Sequence, residues 1–220
     1  MGPRHDLVYD VCRESIVQVE RENDVVVSSY VDALHLWGFF LEFTGISLKR
    51  KQMRGVLMSD KEKVDIEKPK GHYCFACGTA NPIGLDLQFY RRGDTVCSDI
   101  RLSRYHEGWE NIAHGGIIST LLDEIMSWAV MCAKKSFFVT RKMSVKYIKN
   151  VPIEKPLKVI GMLTNDSAPP KVAARAEIRD EAGGLLVRSR GEFILLPEEN
   201  LASVPETYKE EMHVLFQRLG

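Results

Sequence analysis

A chain of 220 residues with 45% hydrophobic and 27% charged content has a globular composition, long enough for one large domain or for one ordinary domain with an accessory segment. Thirty basic residues balance thirty acidic ones, so composition gives no footprint for nucleic acid or an anionic membrane. Five cysteines are an odd count in a chain that needs no disulfide framework, which points to a reducing cytoplasm.

In chain order, the N-terminus Met1-Gly2-Pro3-Arg4-His5-Asp6 lacks the apolar core of a signal segment. The longest apolar candidate for a span, from Leu36 to Leu41 around Trp37 and Phe40, falls far short of the roughly 20 residues that cross a bilayer, so no membrane partner is expected. Residues 16–20 and 25–31 are β-branched runs parted by Arg21-Glu22-Asn23-Asp24, the pattern of a hairpin. Residues 34–43 and 46–58 read as a second hairpin, or the first of them as a short helix. Residues 1–58 are thus expected to form a β-rich extension of unassigned role, without chemistry. Residues 59–71 are almost wholly charged and end in Pro69-Lys70-Gly71, the clearest linker signal in the chain.

The main domain is expected over residues 72–197. Leu85, Leu87 and Phe89 alternate with polar residues, and a turn at Arg91-Arg92-Gly93-Asp94 leads into a second strand over residues 95–102. Ile117, Ile118, Leu121, Leu122, Ile125, Met126, Ala129 and Val130 then repeat at three- and four-residue spacing, which predicts a helix over residues 114–133. Four strands follow, over residues 137–149, 157–164, 171–180 and 185–196, separated by Pro152 with Pro156, residues 166–170, and Glu181-Ala182-Gly183-Gly184. Two strands, one long helix and four strands predict an α+β antiparallel sheet wrapped around that helix. The tail, residues 198–220, is expected to carry a helix over residues 205–218 with Tyr208, Met212, Leu215 and Leu219 on one face.

The chemistry concentrates at His114-Gly115-Gly116, followed in the same apolar segment by Asp123. Two glycines in a helix's first turn expose unpaired N–H groups to a polarised oxygen. At 100° per residue Asp123 falls at the border of the apolar arc, where partial desolvation raises a carboxylate's pKa and suits it to act as base or nucleophile. Each feature has an ordinary reading, a tight turn or a solvated carboxylate. The two together at this spacing favour function.

These residues resemble the hotdog-fold acyl-CoA thioesterases, specifically the phenylacetate-pathway-like group. The likeness begins at Cys74-Phe75-Ala76-Cys77-Gly78 with Asn81-Pro82-Ile83-Gly84-Leu85 and continues in Glu107-Gly108-Trp109 and the helix signature from His114 to Glu124. It extends through Val139-Thr140-Arg141, Tyr147 and Val151-Pro152. The resemblance implies a thioesterase whose Gly115 N–H polarises the thioester carbonyl while Asp123 activates water or attacks directly. Thr140 stands where related enzymes carry a Ser or Thr that helps to place the water. In one departure, some relatives have an Asn six residues before the His, where this chain has Gly108. His106 and Asn111 are the neighbours able to replace it.

Eight residues separate Gly115 from Asp123, which sets them ~12 Å apart along one helix, too far to serve one carbonyl within one chain. Two such helices running antiparallel across a two-fold axis bring Gly115 of one subunit to Asp123 of the other. A homodimer with shared sites is therefore expected, with a dimer of dimers as an extension. His114 reads as a helix-start residue next to the substrate, and Gly116 as a second substrate contact. Arg141, with Lys142 and Lys146, is a candidate for coenzyme A phosphates, although basic residues on an edge strand are ordinarily just solvated. Glu124, 100° round from Asp123, is expected in a structural pair. Cys74 and Cys77, with His72 near, come from one loop with no second Cys pair or paired His at useful spacing, so the cysteines read as small buried thiols near the start of the domain. Neither metal nor cofactor is expected. A non-catalytic acyl-CoA sensor on the same fold and an enoyl-CoA hydratase are the alternatives. The carboxylate at Asp123 argues against the first, and the His114-to-Asp123 spacing against the second.

Overall fold

The computed structural model describes residues 62–164, 168–202 and 204–219. The hairpins expected in residues 1–58 lie outside them. Nine strands and two α-helices are described: β1 (Lys63–Ile66), β2 (Phe89–Arg92), β3 (Thr95–Arg101), β4 (Glu107–Trp109), β5 (Ile112–Ala113), α1 (Gly115–Lys134), β6 (Phe138–Tyr147), β7 (Pro156–Thr164), β8 (Lys171–Asp180), β9 (Leu185–Leu195) and α2 (Glu206–Arg218). Seven strands form one antiparallel sheet in the order β1-β2-β3-β7-β8-β9-β6, while β4 and β5 pair separately. This sheet around one long helix is the hotdog arrangement, an α+β fold.

The helix and the last four strands fall where their periodicities place them. Along α1, Ile118, Leu121, Leu122, Ile125, Met126, Ala129 and Val130 are buried, and the helix packs on β3, β7 and β8. At ~1.5–3 kcal/mol for each large apolar side chain removed from water, this face is a principal source of the fold's stability. Close approach to the sheet depends on Gly161 of β7, where an added Cβ would lie 2.5 Å from the Ile125 carbonyl oxygen. The C-terminal helix α2 adds Met212, Leu215 and Phe216 to the same core; Tyr208, expected on its apolar face, is 40% exposed.

Three expectations are corrected. Residues 63–66, inside the segment read as a linker, form the edge strand β1, paired with β2 from Lys63↔Arg92 to Ile66↔Phe89. Charged side chains that suggest a linker also suit an edge strand, which they protect from further pairing. The first strand of the main domain begins at Phe89 rather than Leu85, because the backbone N–H groups of Leu85 and Leu87 are bonded to the carbonyls of Phe75 and Ala76 in the preceding loop. Finally, α1 is itself long and apolar enough by composition to cross a bilayer, so the stretch from Leu36 to Leu41 is not the longest candidate. Its apolar residues are spent on the sheet, as those of a core helix.

Candidate active site

The chain enters α1 from β5 through His114, an extended residue at φ −63° and ψ 136°. His114 N–H is bonded to the His106 carbonyl, and the His114 ring caps the helix: Gly116 N–H donates to its Nδ1 at 3.0 Å. The Gly116 N–H, expected to be uncovered, is thus already paired with a side chain two residues upstream. The small size of Gly116 still matters, since an added Cβ would lie 3.0 Å from that ring nitrogen.

Gly115 is the first residue of the helix. Among the described residues no acceptor is paired with its N–H, as befits the first residue of a helix. Its carbonyl is held by two hydroxyls, Ser119 Oγ at 3.0 Å and Tyr147 Oη at 3.1 Å, which are themselves 3.3 Å apart. Tyr147 comes from the far end of β6, and the resemblance includes it without giving it a role. No local sequence signal reveals that it returns to the helix start 32 residues upstream. Gly115, Ile118 and Tyr147 line a cavity of about 310 Å³ together with Ile112, Ile148 and Val151. A larger cavity of about 500 Å³, between Asp99, Arg101 and Arg179, contains none of these residues and no comparable chemistry.

Two turns further along α1, Asp123 is half-buried and accepts a hydrogen bond from Thr140 Oγ1 of β6 at 3.0 Å. Desolvation pushes the Asp123 carboxyl above its ordinary range, and the Thr140 hydroxyl, which favours the ionised form, opposes that shift. Strand β6 lies at the sheet's edge, with the β9 pairing shifted between Thr140 and Lys142, so Arg141 occupies the irregularity. Arg141 is exposed and lies 3.4 Å from Glu192 on β9. Lys142 and Lys146 are exposed on the same strand.

The site thus has two ends within one chain. His114, Gly115 and Gly116 gather at the helix start, exposed in the single chain, while Asp123, Thr140 and Arg141 gather at its middle. Exposed apolar side chains accompany both ends: Val139 and Tyr147 on β6, 49% and 50% exposed, and Trp109 on β4, 82% exposed. His106, one of the replacements considered for the missing Asn, instead accepts the Ser103 N–H at Nδ1, while the Asn111 backbone N–H is tied to Glu107 Oε1. Glu124 accepts from Trp128 Nε1 at 2.9 Å.

Residues 110–165 match the Thioesterase superfamily. The structure is similar to that of a thioesterase superfamily protein at a TM-score of 0.53 and 19% identity, over 88% of this chain and 92% of that one. Weaker similarities are to the Escherichia coli PaaI protein of the phenylacetic acid degradation operon (TM-score 0.47, 11% identity, 51% of this chain and 81% of that one) and to a hypothetical thioesterase from Streptococcus pneumoniae with coenzyme A (TM-score 0.43, 20% identity, 46% and 78%). No curated protein matches in sequence. The first of these similarities establishes the fold, and the superfamily match supports the family suspected from the residues.

Proposed function

We propose that this protein is an acyl-CoA thioesterase, working as a homodimer in which Gly115 of one subunit and Asp123 of the other serve the same thioester. The observation that carries this reading is the Asp123–Thr140 pair, a partly desolvated carboxylate oriented by a hydroxyl, on the helix whose first N–H has no acceptor among the described residues. Thioester hydrolysis needs those two elements, a base or nucleophile and a donor for the developing oxyanion. The superfamily match over residues 110–165 spans the whole helix and both functional ends.

In the general-base form, Asp123 takes a proton from water as the water oxygen attacks the carbonyl carbon. Gly115 N–H receives the negative charge that develops on the carbonyl oxygen. Collapse of the tetrahedral species breaks the carbon–sulfur bond and releases coenzyme A thiolate, which takes up the proton. The nucleophilic form passes through an anhydride with Asp123 before water completes the cleavage. Thr140 holds the carboxylate in both. The acyl chain is assigned to the apolar cavity beside Ile118 and Tyr147, and the phosphates to Arg141, Lys142 and Lys146 on the edge strand.

Release of free thiol from a panel of acyl-CoAs tests the activity. Wild type is expected to turn over at least one of them, and Asp123→Asn to lower kcat by ~10² or more. Tight acyl-CoA binding with no hydrolysis across the panel would replace this reading with the sensor.

A further inference from the structure

Cys74, Cys77 and Glu124 are brought together by the fold although 50 residues separate the first from the last. One ligand-capable atom from each, the two sulfurs and a carboxylate oxygen, lie within 4.8 Å of one another. Cys74 Sγ is 3.9 Å from Glu124 Oε2. The expectation of two small buried thiols does not hold: Cys74 is exposed and Cys77 only partly buried.

The loop that carries the cysteines is shaped for this grouping. The two sulfurs flank a turn at residues 75–77 and lie within 4.8 Å of each other. Gly78 N–H also closes the turn on the Cys74 carbonyl at 2.9 Å, and a Cβ at Gly78 would lie 2.5 Å from the Cys74 backbone and from the His72 carbonyl. The Cys-x-x-Cys-Gly sequence thus makes a tight turn that points two sulfurs the same way. Lys68, its ammonium bonded to the Cys77 carbonyl at 2.9 Å and to Asp86 at 2.8 Å, ties the loop to its surroundings.

The carboxylate is equally prepared. Trp128, 2% exposed and stacked on Phe89, fixes Glu124 Oε1 through its indole N–H and leaves Oε2 turned toward the sulfurs. Glu124 forms no ion pair among the described residues, and its charged neighbour on the helix is Asp123, of like sign. A partly buried carboxylate beside two sulfurs, with no cationic partner among the described residues, is an arrangement that a divalent ion would neutralise. A hydrogen-bonded carboxylate with two cysteines from one turn is also how metal ligands are commonly oriented.

We propose that Cys74, Cys77 and Glu124 bind a thiolate-seeking divalent cation of the zinc class. Two sulfurs and one carboxylate oxygen fill three tetrahedral positions, and water takes the fourth. Bound there, the ion rivets the loop of residues 72–78 to α1 one residue away from Asp123. This site does not depend on the thioesterase reading, and its test has no activity readout.

The experiment uses the full chain, reduced and treated with a chelator, and Co2+ as a spectroscopic probe with Zn2+ as competitor. One equivalent of Co2+ per chain should bind with a thiolate-to-cobalt charge-transfer band that Zn2+ abolishes. The double variant Cys74→Ser/Cys77→Ser should lose the band, and Trp128→Phe, which keeps all three ligands, should weaken binding by about 10–100-fold. Because the variants could lose their fold, alkylation of wild-type cysteines by iodoacetamide provides a second reading: saturating Zn2+ should protect Cys74 and Cys77 and leave Cys132 unaffected. Absence of a stoichiometric cobalt band in the wild type, or alkylation of Cys74 and Cys77 at an unchanged rate under Zn2+, would overturn the proposal.

Discussion

Thr140 Oγ1 donates to Asp123 Oδ1 across 3.0 Å, so a hydroxyl on the edge strand settles on the carboxylate of the central helix. This bond lowers the Asp123 pKa against the larger, opposite effect of desolvation. Thr140→Ala removes the lowering influence alone. A base works deprotonated, so the acid limb of the kcat/KM profile should move to higher pH in the variant while the plateau also falls. An acid limb unmoved or shifted downward would show that Asp123 is not the group titrating.

The raised pKa has a second consequence, for stability. The folded-state pKa of Asp123 lies above the unfolded value, so the folded chain binds the proton more tightly and its stability falls as pH rises through the folded pKa. Ionised Asp123 is therefore a cost near neutral pH. Asp123→Asn should raise Tm at neutral pH, and the gain should shrink as pH is lowered below the unfolded value. Thermal denaturation of both proteins across that range checks the sign, a trade between stability and function at one residue.

Gly115 allows its N–H to be removed with little damage. It is the first helical residue, where proline is well tolerated, and His114 before it already has the extended conformation that a following proline demands. A Cβ at Gly115 meets Tyr147 Oη at 3.4 Å, an ordinary contact. Gly115→Ala should keep most activity, whereas Gly115→Pro should lower kcat by about 10²–10³-fold, the usual cost of one oxyanion donor. Equal activity of the two variants would remove Gly115 N–H from the mechanism.

Much of this was legible in the residues, and what was not has identifiable reasons. The spacing of Ile118, Leu121, Leu122 and Ile125 reveals α1 because burial on one side of a helix leaves a period in the sequence. β1 leaves none: three of its four residues are exposed, and it reads as charge. The pairing of the Gly116 N–H is not legible either, because its acceptor is the His114 side chain. The grouping of Glu124 with Cys74 and Cys77, and of Tyr147 with Gly115, is made by packing between segments far apart in the chain. Local spacing carries no trace of it.

The edge strand β6 carries Val139 and Tyr147, both about half exposed. Among the described residues this edge is unpaired, and an edge strand with exposed apolar side chains is a surface for pairing with another chain. Native mass measurement should find at least twice the 25.0 kDa of one chain. Val139→Lys should shift the population toward monomer and reduce turnover in parallel. A monomeric wild type that hydrolyses acyl-CoA would contradict the shared site.

The central claim, that Gly115 and Asp123 act on one thioester from two different subunits, is tested most directly by mixing Gly115→Pro and Asp123→Asn chains, each expected to retain only about a hundredth of the activity or less alone. Denaturing and refolding them together should form heterodimers in which one site combines an intact Gly115 with an intact Asp123 and the other combines both lesions. With random pairing, thiol release should recover to about a quarter of the wild-type rate per chain, because half the dimers carry one working site of two. No recovery in a mixture that mass measurement shows to contain heterodimers would contradict the account.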